Sequence, residues 1–401
     1  MTAAASASRA AAKSTARPFD RERWRMGAEA RTIVFVSSCL LLMGLAVLYS
    51  ASAIVAQTKG LSSWYFLVAQ GEGAVAGAIA FMVAAKFDAD RWRDYAWPLL
   101  WIVLVMLLAT LFVPESIAPR FNGSKRFLYK TSVQPSELGK FVVVVWTSML
   151  VVKKGDQLRR FSKGIVPFLV VLVALAVLVA AEPDLSVVML YALLMALLLF
   201  AGGARLGHFF LLAAMGLPVL FKEIQHVQYA VLRLTTFLDP GTAPASMSYQ
   251  LRQSLLAVGS GGLTGVGFGQ GRQQYGFLPY QHSDFIASNV GEEWGFIGLV
   301  TLTLMFGAYA LFGFRIARSA RSQFTQLLAV GLTFTTVLTA YLHIGVVVGL
   351  LPTTGLTLPF VSFGRSNLVL TMFLTGVLVN IGSVKERVTA VRASNPLAAP
   401  A

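Results

Sequence analysis

The sequence has little charge and almost no cysteine. Only 13% of its 401 residues are charged, whereas soluble globular proteins carry roughly 25%. Hydrophobic residues make up 56% of the chain, and the mean hydropathy is +0.69. These values exclude a soluble enzyme, a disordered chain and a fibrous protein. The single cysteine, Cys39, excludes a disulfide framework and a cysteine metal site.

Long apolar runs take the place of the missing charge. Crossing a membrane requires about 20 apolar residues, and seven segments meet this condition clearly: 33–56, 97–113, 165–181, 185–201, 294–314, 324–350 and 366–384. Three weaker segments carry ionisable residues: 65–85, 136–152 and 206–221. The sequence therefore predicts an all-α polytopic membrane protein with about ten transmembrane helices.

Lysine and arginine indicate the orientation of these helices. With the N-terminus in the cytoplasm, 22 of the 33 basic residues fall on the cytoplasmic side, as the positive-inside rule requires. The net charge of +15 is therefore a topology signal, and we expect no nucleic-acid partner.

Three regions follow from this topology. Residues 1–30 form a basic cytoplasmic tail, expected to be disordered, and residues 385–401 form a second cytoplasmic tail. Residues 31–384 form the membrane domain, in which residues 222–285 are a large outer loop between helices 7 and 8. Outer loops are where a compact membrane bundle is expected to place its function.

The fourth predicted span opens with ionisable residues, which are functional candidates by default inside a membrane. Pro135 suits the first position of a helix, and Glu137 lies near the positive end of the helix dipole. Glu137 and Lys140 are three residues apart and share one helical face. An internal ion pair explains this spacing as well as a binding role does.

Two further patterns lie at the predicted outer surface. Glu182-Pro183-Asp184 separates two uncharged spans, either as a turn facing water or as carboxylates that bind a cation or steer a cationic side chain. Residues 259–271 contain seven glycines, without the βαβ unit that a nucleotide-binding loop needs. Such a loop approaches a ligand or a membrane surface closely, or is simply flexible and re-entrant.

Asp284 lies two residues after His282, just before an apolar helix that enters from the outer side. Partial desolvation would raise its proton affinity and suit it to general-base catalysis. An aspartate at this place is also an ordinary helix cap, which composition alone favours.

Residues 351–366 interrupt the chain between the last two spans with two prolines and two glycines. Irregular backbone at membrane depth needs protein or water around it, so this break is expected to line an outer cavity. Arg365 at its end suits an anionic headgroup or simple interfacial anchoring.

Taken together and in this order along the chain, these sequence patterns resemble those of the SEDS family of bacterial membrane proteins (shape, elongation, division and sporulation), the FtsW/RodA type. The resemblance covers residues 31–384 and rests on these blocks: Asn122-Gly123 with Arg126, residues 134–140, Glu182-Pro183-Asp184, residues 278–286 and residues 351–366. Residues 49–53 and 291–293 are more similar to the cell-division branch. Gln274, Tyr280, His343 and Arg365 depart from the residues that the family usually has.

The resemblance implies a peptidoglycan glycosyltransferase that polymerises lipid II, the undecaprenyl-diphosphate-linked disaccharide-pentapeptide, into β-1,4 glycan strands at the outer face. It implies septal cell-wall synthesis, a plasma-membrane location, a class B penicillin-binding protein transpeptidase as partner, and other divisome membrane proteins. A lipid II flippase and a non-catalytic division scaffold are the alternatives, and a flippase would leave its substrate unpolymerised.

The resemblance also implies roles for individual residues. The essential aspartate of the family falls on Asp284, its arginine after Asn-Gly on Arg126 and its helix-four lysine on Lys140. The remaining candidates are Gln134, Glu137, His282, Ser362 and Arg365 for substrate binding, with Glu182 and Asp184 as structural or cation-steering residues. The sequence contains no recognisable set of metal ligands. A divalent cation, Mg²⁺ or Mn²⁺, is the one cofactor that could assist this reaction.

The orientation can be tested with reporter fusions. Because the basic residues concentrate on one side, a reporter after Ala401 should be cytoplasmic and one inserted beside Ala245 should be on the outer side. Paired alkaline phosphatase and green fluorescent protein fusions measure this. Phosphatase activity from the Ala401 fusion would contradict the topology.

Overall fold

The computed structural model describes residues 20–115, 118, 119, 125–128, 133–214, 216, 237 and 245–389. Within these residues the first helices, up to the middle of the chain, are α1 (Ala28–Thr58), α2 (Tyr65–Lys86), α3 (Trp92–Phe112), α4 (Pro135–Lys154), α5 (Val166–Ala181) and α6 (Leu185–Ala201). The later helices are α7 (206–214), α8 (Ala245–Ser260), α9 (Ile286–Glu293), α10 (Gly295–Arg318), α11 (Gln323–Val347) and α12 (Arg365–Ile381).

The all-α membrane architecture is confirmed. Seven helical segments are long and apolar enough to cross a membrane, and α6 and α12 are shorter apolar helices. Nine predicted spans coincide with described helices. The remaining one, 206–221, coincides with α7 as far as residue 214, and its later part lies almost wholly outside the described residues.

One expectation about the non-membrane segments needs correction. Strand β1 (Asp20–Met26) pairs antiparallel with β2 (Ser383–Thr389), in a register that runs from Asp20↔Thr389 to Met26↔Ser383. The expected disordered tail of residues 1–30 therefore contains a strand, and so does the C-terminal tail from residue 385. The charged residues at these positions suggested disorder, whereas the β-branched residues of β2 favour extended backbone.

The predicted outer loop of residues 222–285 also contains regular structure, because α8 lies within it. Leu251, Ser254 and Ala257 are buried, and their spacing of three residues places them on one helical face. The hydroxyl of Ser254 donates to the Val347 carbonyl at 2.8 Å, which fixes α8 against the end of α11.

Helix α4 is the most enclosed span. In the segment Pro135–Arg159, 89% of the residues in its 18-residue apolar stretch are buried, compared with 28% in the corresponding stretch of Phe161–Ala181. A helix surrounded by other helices faces protein instead of lipid, which explains why α4 tolerates Glu137 and Lys140 and why its hydropathy predicted it only weakly.

Small residues allow α2 and α12 to pack closely. A Cβ on Gly376 would lie 2.5 Å from the Phe81 carbonyl oxygen, and one on Gly77 would lie 2.5 Å from the Met372 sulfur. Glycines at such contacts let helix backbones approach each other in a membrane. This contact brings Gln70 of α2 beside the loop that precedes α12.

Candidate active site

Asp284 lies at the end of a tight turn. The backbone amides of Ser283 and Asp284 both donate to the Tyr280 carbonyl at 3.0 Å, and Tyr280 has a φ of 56°. A non-glycine residue in this left-handed region is uncommon and marks a turn held by its surroundings. Asp284 is partly buried, and the N-cap position of α9 is occupied by Phe285.

Three hydrogen bonds hold this turn to other elements. Gln281, which is 1% exposed, donates through Nε2 to the Ala51 carbonyl of α1 at 2.8 Å. Ser362 Oγ donates to the Ser283 carbonyl at 2.6 Å, and the Phe363 amide donates to the His282 carbonyl at 2.9 Å. The Asp284 turn is therefore fixed to the loop of residues 351–364.

Gln70 of α2 holds the same loop from the other side, and the sequence analysis missed it. Its Nε2 donates to the Ser362 carbonyl at 3.0 Å, and its Oε1 accepts from the Gly364 amide at 3.1 Å. The side chain is 1% exposed. A search for ionisable residues inside spans does not find an amide, although a buried glutamine in an apolar helix is itself a polar signal.

The loop of residues 351–364 faces Asp284 with a glycine. Gly355 has a φ of 73°, and a Cβ placed on it would lie 3.7 Å from Asp284 Oδ2. The neighbouring Thr354 carbonyl accepts from Ser186 Oγ of α6 at 2.5 Å. This segment therefore connects the Asp284 carboxylate with the beginning of α6.

The turn before α6 holds Arg126. The guanidinium donates through Nε to the Glu182 carbonyl at 3.0 Å and through Nη2 to the Pro183 carbonyl at 2.5 Å. Its Nη1 lies 3.5 Å from Asp184 Oδ2, and the Arg126 side chain is 33% exposed. Of the two interpretations of this turn, the structure has the one in which it steers a cationic side chain. Asn122 and Gly123 lie outside the described residues.

Glu182 does not face water, because it is 0% exposed. Its Oε1 accepts from Thr110 Oγ1 of α3, while its Oε2 has no hydrogen-bond partner among the residues that the structure describes. Burial raises the pKa of Glu182 from 4.5 to about 7, and the charge of Asp184 contributes to this rise. The Thr110 hydrogen bond and the charge of Arg126 oppose the rise in the pKa. Burial therefore makes the Glu182 carboxyl a weaker acid than one in water.

The start of α4 forms a buried ion pair. Lys140 Nζ lies 2.6 Å from Glu137 Oε1, and the two residues are 3% and 6% exposed. The Ser136 carbonyl accepts from the Tyr191 hydroxyl of α6 at 2.5 Å, and Gln134 Nε2 donates to Ser136 Oγ at 3.1 Å. The charges of Glu137, Glu182 and Asp184 all act on the Tyr191 hydroxyl. Helices α4 and α6 thus share one polar cluster with the Glu182–Asp184 turn.

Two candidates lie away from these charges. The His282 ring packs between Phe66 and Phe363, with centroid distances of 4.7 and 5.9 Å. Burial lowers the pKa of His282 from 6.5 to about 4, with a further contribution from the charge of Lys59, so the ring is neutral at physiological pH. Arg365 lies 3.5 Å from Glu72 in a solvent-exposed pair.

The glycine-rich segment packs against the junction of α9 and α10. The Val266 amide donates to the Glu292 carbonyl at 3.0 Å, and the Gly267 amide donates to the Glu293 carbonyl at 3.1 Å. The Glu292 carboxylate accepts from the Arg272 amide at 2.7 Å. The glycines therefore permit close backbone contact within the protein.

The residues that depart from the family pattern have structural partners. Gln274 Nε2 donates to the Gly269 carbonyl at 2.8 Å. His343 Nδ1 lies 2.7 Å from the Leu356 carbonyl oxygen, so this side chain contacts the loop of residues 351–364. Among the residues that the structure describes, no three His, Cys, Asp or Glu side chains cluster to hold a metal ion.

The chain is similar to known proteins over most of its length. A model of the FtsW/RodA/SpoVE cell cycle proteins matches residues 30–387. A probable peptidoglycan glycosyltransferase FtsW from Geobacter metallireducens is 36% identical, over 88% of this chain and 94% of the relative. The stage V sporulation protein E of Bacillus subtilis is 34% identical, over 87% of this chain and 95% of the relative.

Solved structures show the same fold. A chain from a peptidoglycan synthase complex superposes with a TM-score of 0.72 at 22% identity, covering 87% of this chain and 96% of that chain. The rod shape determining protein RodA of Thermus thermophilus superposes with a TM-score of 0.60 at 20% identity, covering 87% of this chain and 95% of that chain.

The buried pair in α4 leads to a stability prediction. Lys140→Met leaves the Glu137 carboxylate buried without its cation, and breaking such a pair costs about 3–5 kcal/mol. Adding Glu137→Gln to the same chain removes the unpaired charge and should restore most of the loss in Tm. Thermal unfolding in detergent measures both variants. A Lys140→Met protein with the wild-type Tm would show that the pair does not stabilise α4.

Proposed function

The chain belongs to the FtsW/RodA/SpoVE family of cell cycle proteins, and we propose from this membership that it is a peptidoglycan glycosyltransferase of the FtsW type. It polymerises lipid II into β-1,4 glycan strands at the outer face of the plasma membrane during cell division. The observation that carries the proposal is the partly buried carboxylate of Asp284, on a turn fixed by three hydrogen bonds and facing the backbone of Gly355.

Asp284 acts as the general base. A sugar hydroxyl is a poor nucleophile at neutral pH, and a positioned base accelerates its attack by roughly 10²–10⁴. Asp284 accepts the proton of the acceptor 4-hydroxyl while that oxygen attacks C1 of the donor sugar. The bond from C1 to the lipid pyrophosphate breaks, and the pyrophosphate leaves with the bonding electrons. Direct displacement inverts the α-linked donor to a β-linked product.

The leaving pyrophosphate needs positive charge more than it needs an acid. Arg126 is the first candidate for this contact, because its side chain is 33% exposed and is held at the surface by Asp184. Lys140 is 3% exposed and already paired with Glu137, so we assign it to the polar cluster behind Arg126. Substrate reaching Arg126 would compete with the Glu182–Asp184 turn for the guanidinium.

We also propose the partners and the location. The chain works with a class B penicillin-binding protein transpeptidase, which crosslinks the new strands, and with other divisome membrane proteins at the septum. The likeness to a chain from a peptidoglycan synthase complex supports such an arrangement. Both termini lie in the cytoplasm, in agreement with the distribution of basic residues.

The substitution Asp284→Asn tests the catalytic assignment. Asparagine keeps the shape and capping ability of aspartate but accepts no proton, so polymerisation should fall by roughly 100-fold or more. The assay follows glycan strands made from purified lipid II by the protein and its partner. Asp156→Asn, at an exposed aspartate before α5, is the matched control and should keep full activity.

Two results would overturn the proposal. Near-normal strands from the Asp284→Asn protein would remove Asp284 from the chemistry. Wild-type protein that moves lipid II across vesicles without polymerising it would identify a flippase.

A further inference from the structure

An apolar groove lies between α6, α7 and α11, away from the candidate active site. It has a volume of about 370 Å³, and apolar side chains line it, among them Leu193, Ala196, Phe200, Leu206 and Leu338. Phe200 and Leu206 are 55% and 60% exposed, so the groove is open to its surroundings. Its lining suits a hydrocarbon chain.

The groove and the active site lie at opposite ends of α6. Asp184 caps the start of this helix, and Phe200 is its next-to-last residue. A helix of 17 residues is roughly 25 Å long at about 1.5 Å per residue. The two sites are therefore on opposite sides of the membrane domain.

Basic residues surround the end of the groove. Phe200 and Leu206 flank the turn of residues 201–205, whose Gly202 packs against Val151 and Leu158. The Phe161 ring lies 5.7 Å from the His208 ring of α7. These contacts place the segment between α4 and α5 beside the groove.

We define the basic rim as Arg159, Arg160, Lys163 and Arg205. All four residues are exposed, and none has an ion pair within the described part of the chain. Asp156 is the one acidic residue between positions 151 and 165. The buried Nδ1 of His208, in the first turn of α7, has no hydrogen-bond partner in the described part of the chain. The rim therefore presents unneutralised positive charge where the groove ends.

We propose that the groove and the basic rim form a binding site for an anionic phospholipid of the cytoplasmic leaflet. An acyl chain occupies the groove, and the phosphate of the headgroup contacts the rim. Basic pockets between transmembrane helices on the cytoplasmic side bind anionic headgroups in this way. A zwitterionic lipid offers the same chain without net negative charge, so the rim selects between the two.

Native mass spectrometry of the purified full-length protein tests this site. The protein is equilibrated with equal amounts of phosphatidylglycerol and phosphatidylcholine, and the lipid that stays bound is counted. We expect phosphatidylglycerol to predominate on the wild-type protein. The triple variant Arg160→Gln, Lys163→Gln, Arg205→Gln should lose this preference several-fold. Ala196→Phe, which fills the groove and leaves every charge in place, should lose bound lipid as well.

The control removes equal charge elsewhere on the same side. The triple variant Arg315→Gln, Arg318→Gln, Arg321→Gln, at the end of α10 and in the segment after it, should leave the preference unchanged. Each variant is first checked for a wild-type Tm, and Leu193→Trp replaces Ala196→Phe if the latter does not fold. Equal binding of both phospholipids, or equal losses in the two triple variants, would overturn the proposal. Preferential retention of added undecaprenyl phosphate would assign the groove to a polyisoprenoid and overturn it too.

Discussion

The backbone of residues 351–364 must find hydrogen-bond partners inside an apolar helix bundle, and the arrangement around Asp284 depends on this requirement. Unpaired backbone groups cost several kcal/mol each in such surroundings. Gln70 pairs with both sides of Phe363, at the Ser362 carbonyl and the Gly364 amide. His343 contacts the Leu356 carbonyl. The same loop carries Ser362, which reaches across to the Asp284 turn.

A second constraint acts on the buried charges. Carboxylates in the bundle need cations near them. Lys140 pairs with Glu137 at the start of α4, and Arg126 pairs with Asp184 at the start of α6. Among the described residues Glu182 forms no ion pair, and it accepts a hydrogen bond from Thr110. Burial is the largest cause of its raised pKa. Tyr191 lies among these carboxylates and joins them to α4. Two cationic side chains are thus held by carboxylates, one at the start of α4 and one beside the turn that precedes α6.

The sequence predicted the parts of this site that carry local signals. Prolines and glycines predicted the irregular segment at residues 351–366. The separation of three residues between Glu137 and Lys140 predicted that they share a helical face. The resemblance to a family selected Asp284, which composition alone left as a helix cap. Long-range contacts carry no such signal: Gln70 is separated from Ser362 by 292 residues. The contact between Glu182 and Thr110 of α3 is also long-range. The role of the glycine-rich segment depends on its contacts with the junction of α9 and α10, which the sequence does not show.

We expect Ser362 to position Asp284, because its Oγ donates to the Ser283 carbonyl and so holds the Asp284 turn. Steady-state kinetics of Ser362→Ala on lipid II measures this role, with Ser254→Ala, another buried serine with two hydrogen bonds, as control. A displacement of about 1 Å at a reacting group costs roughly 100-fold, so kcat should fall sharply in Ser362→Ala while KM changes little. An unchanged kcat would show that Ser362 does not position Asp284, and a raised KM alone would indicate a direct contact between Ser362 and the substrate.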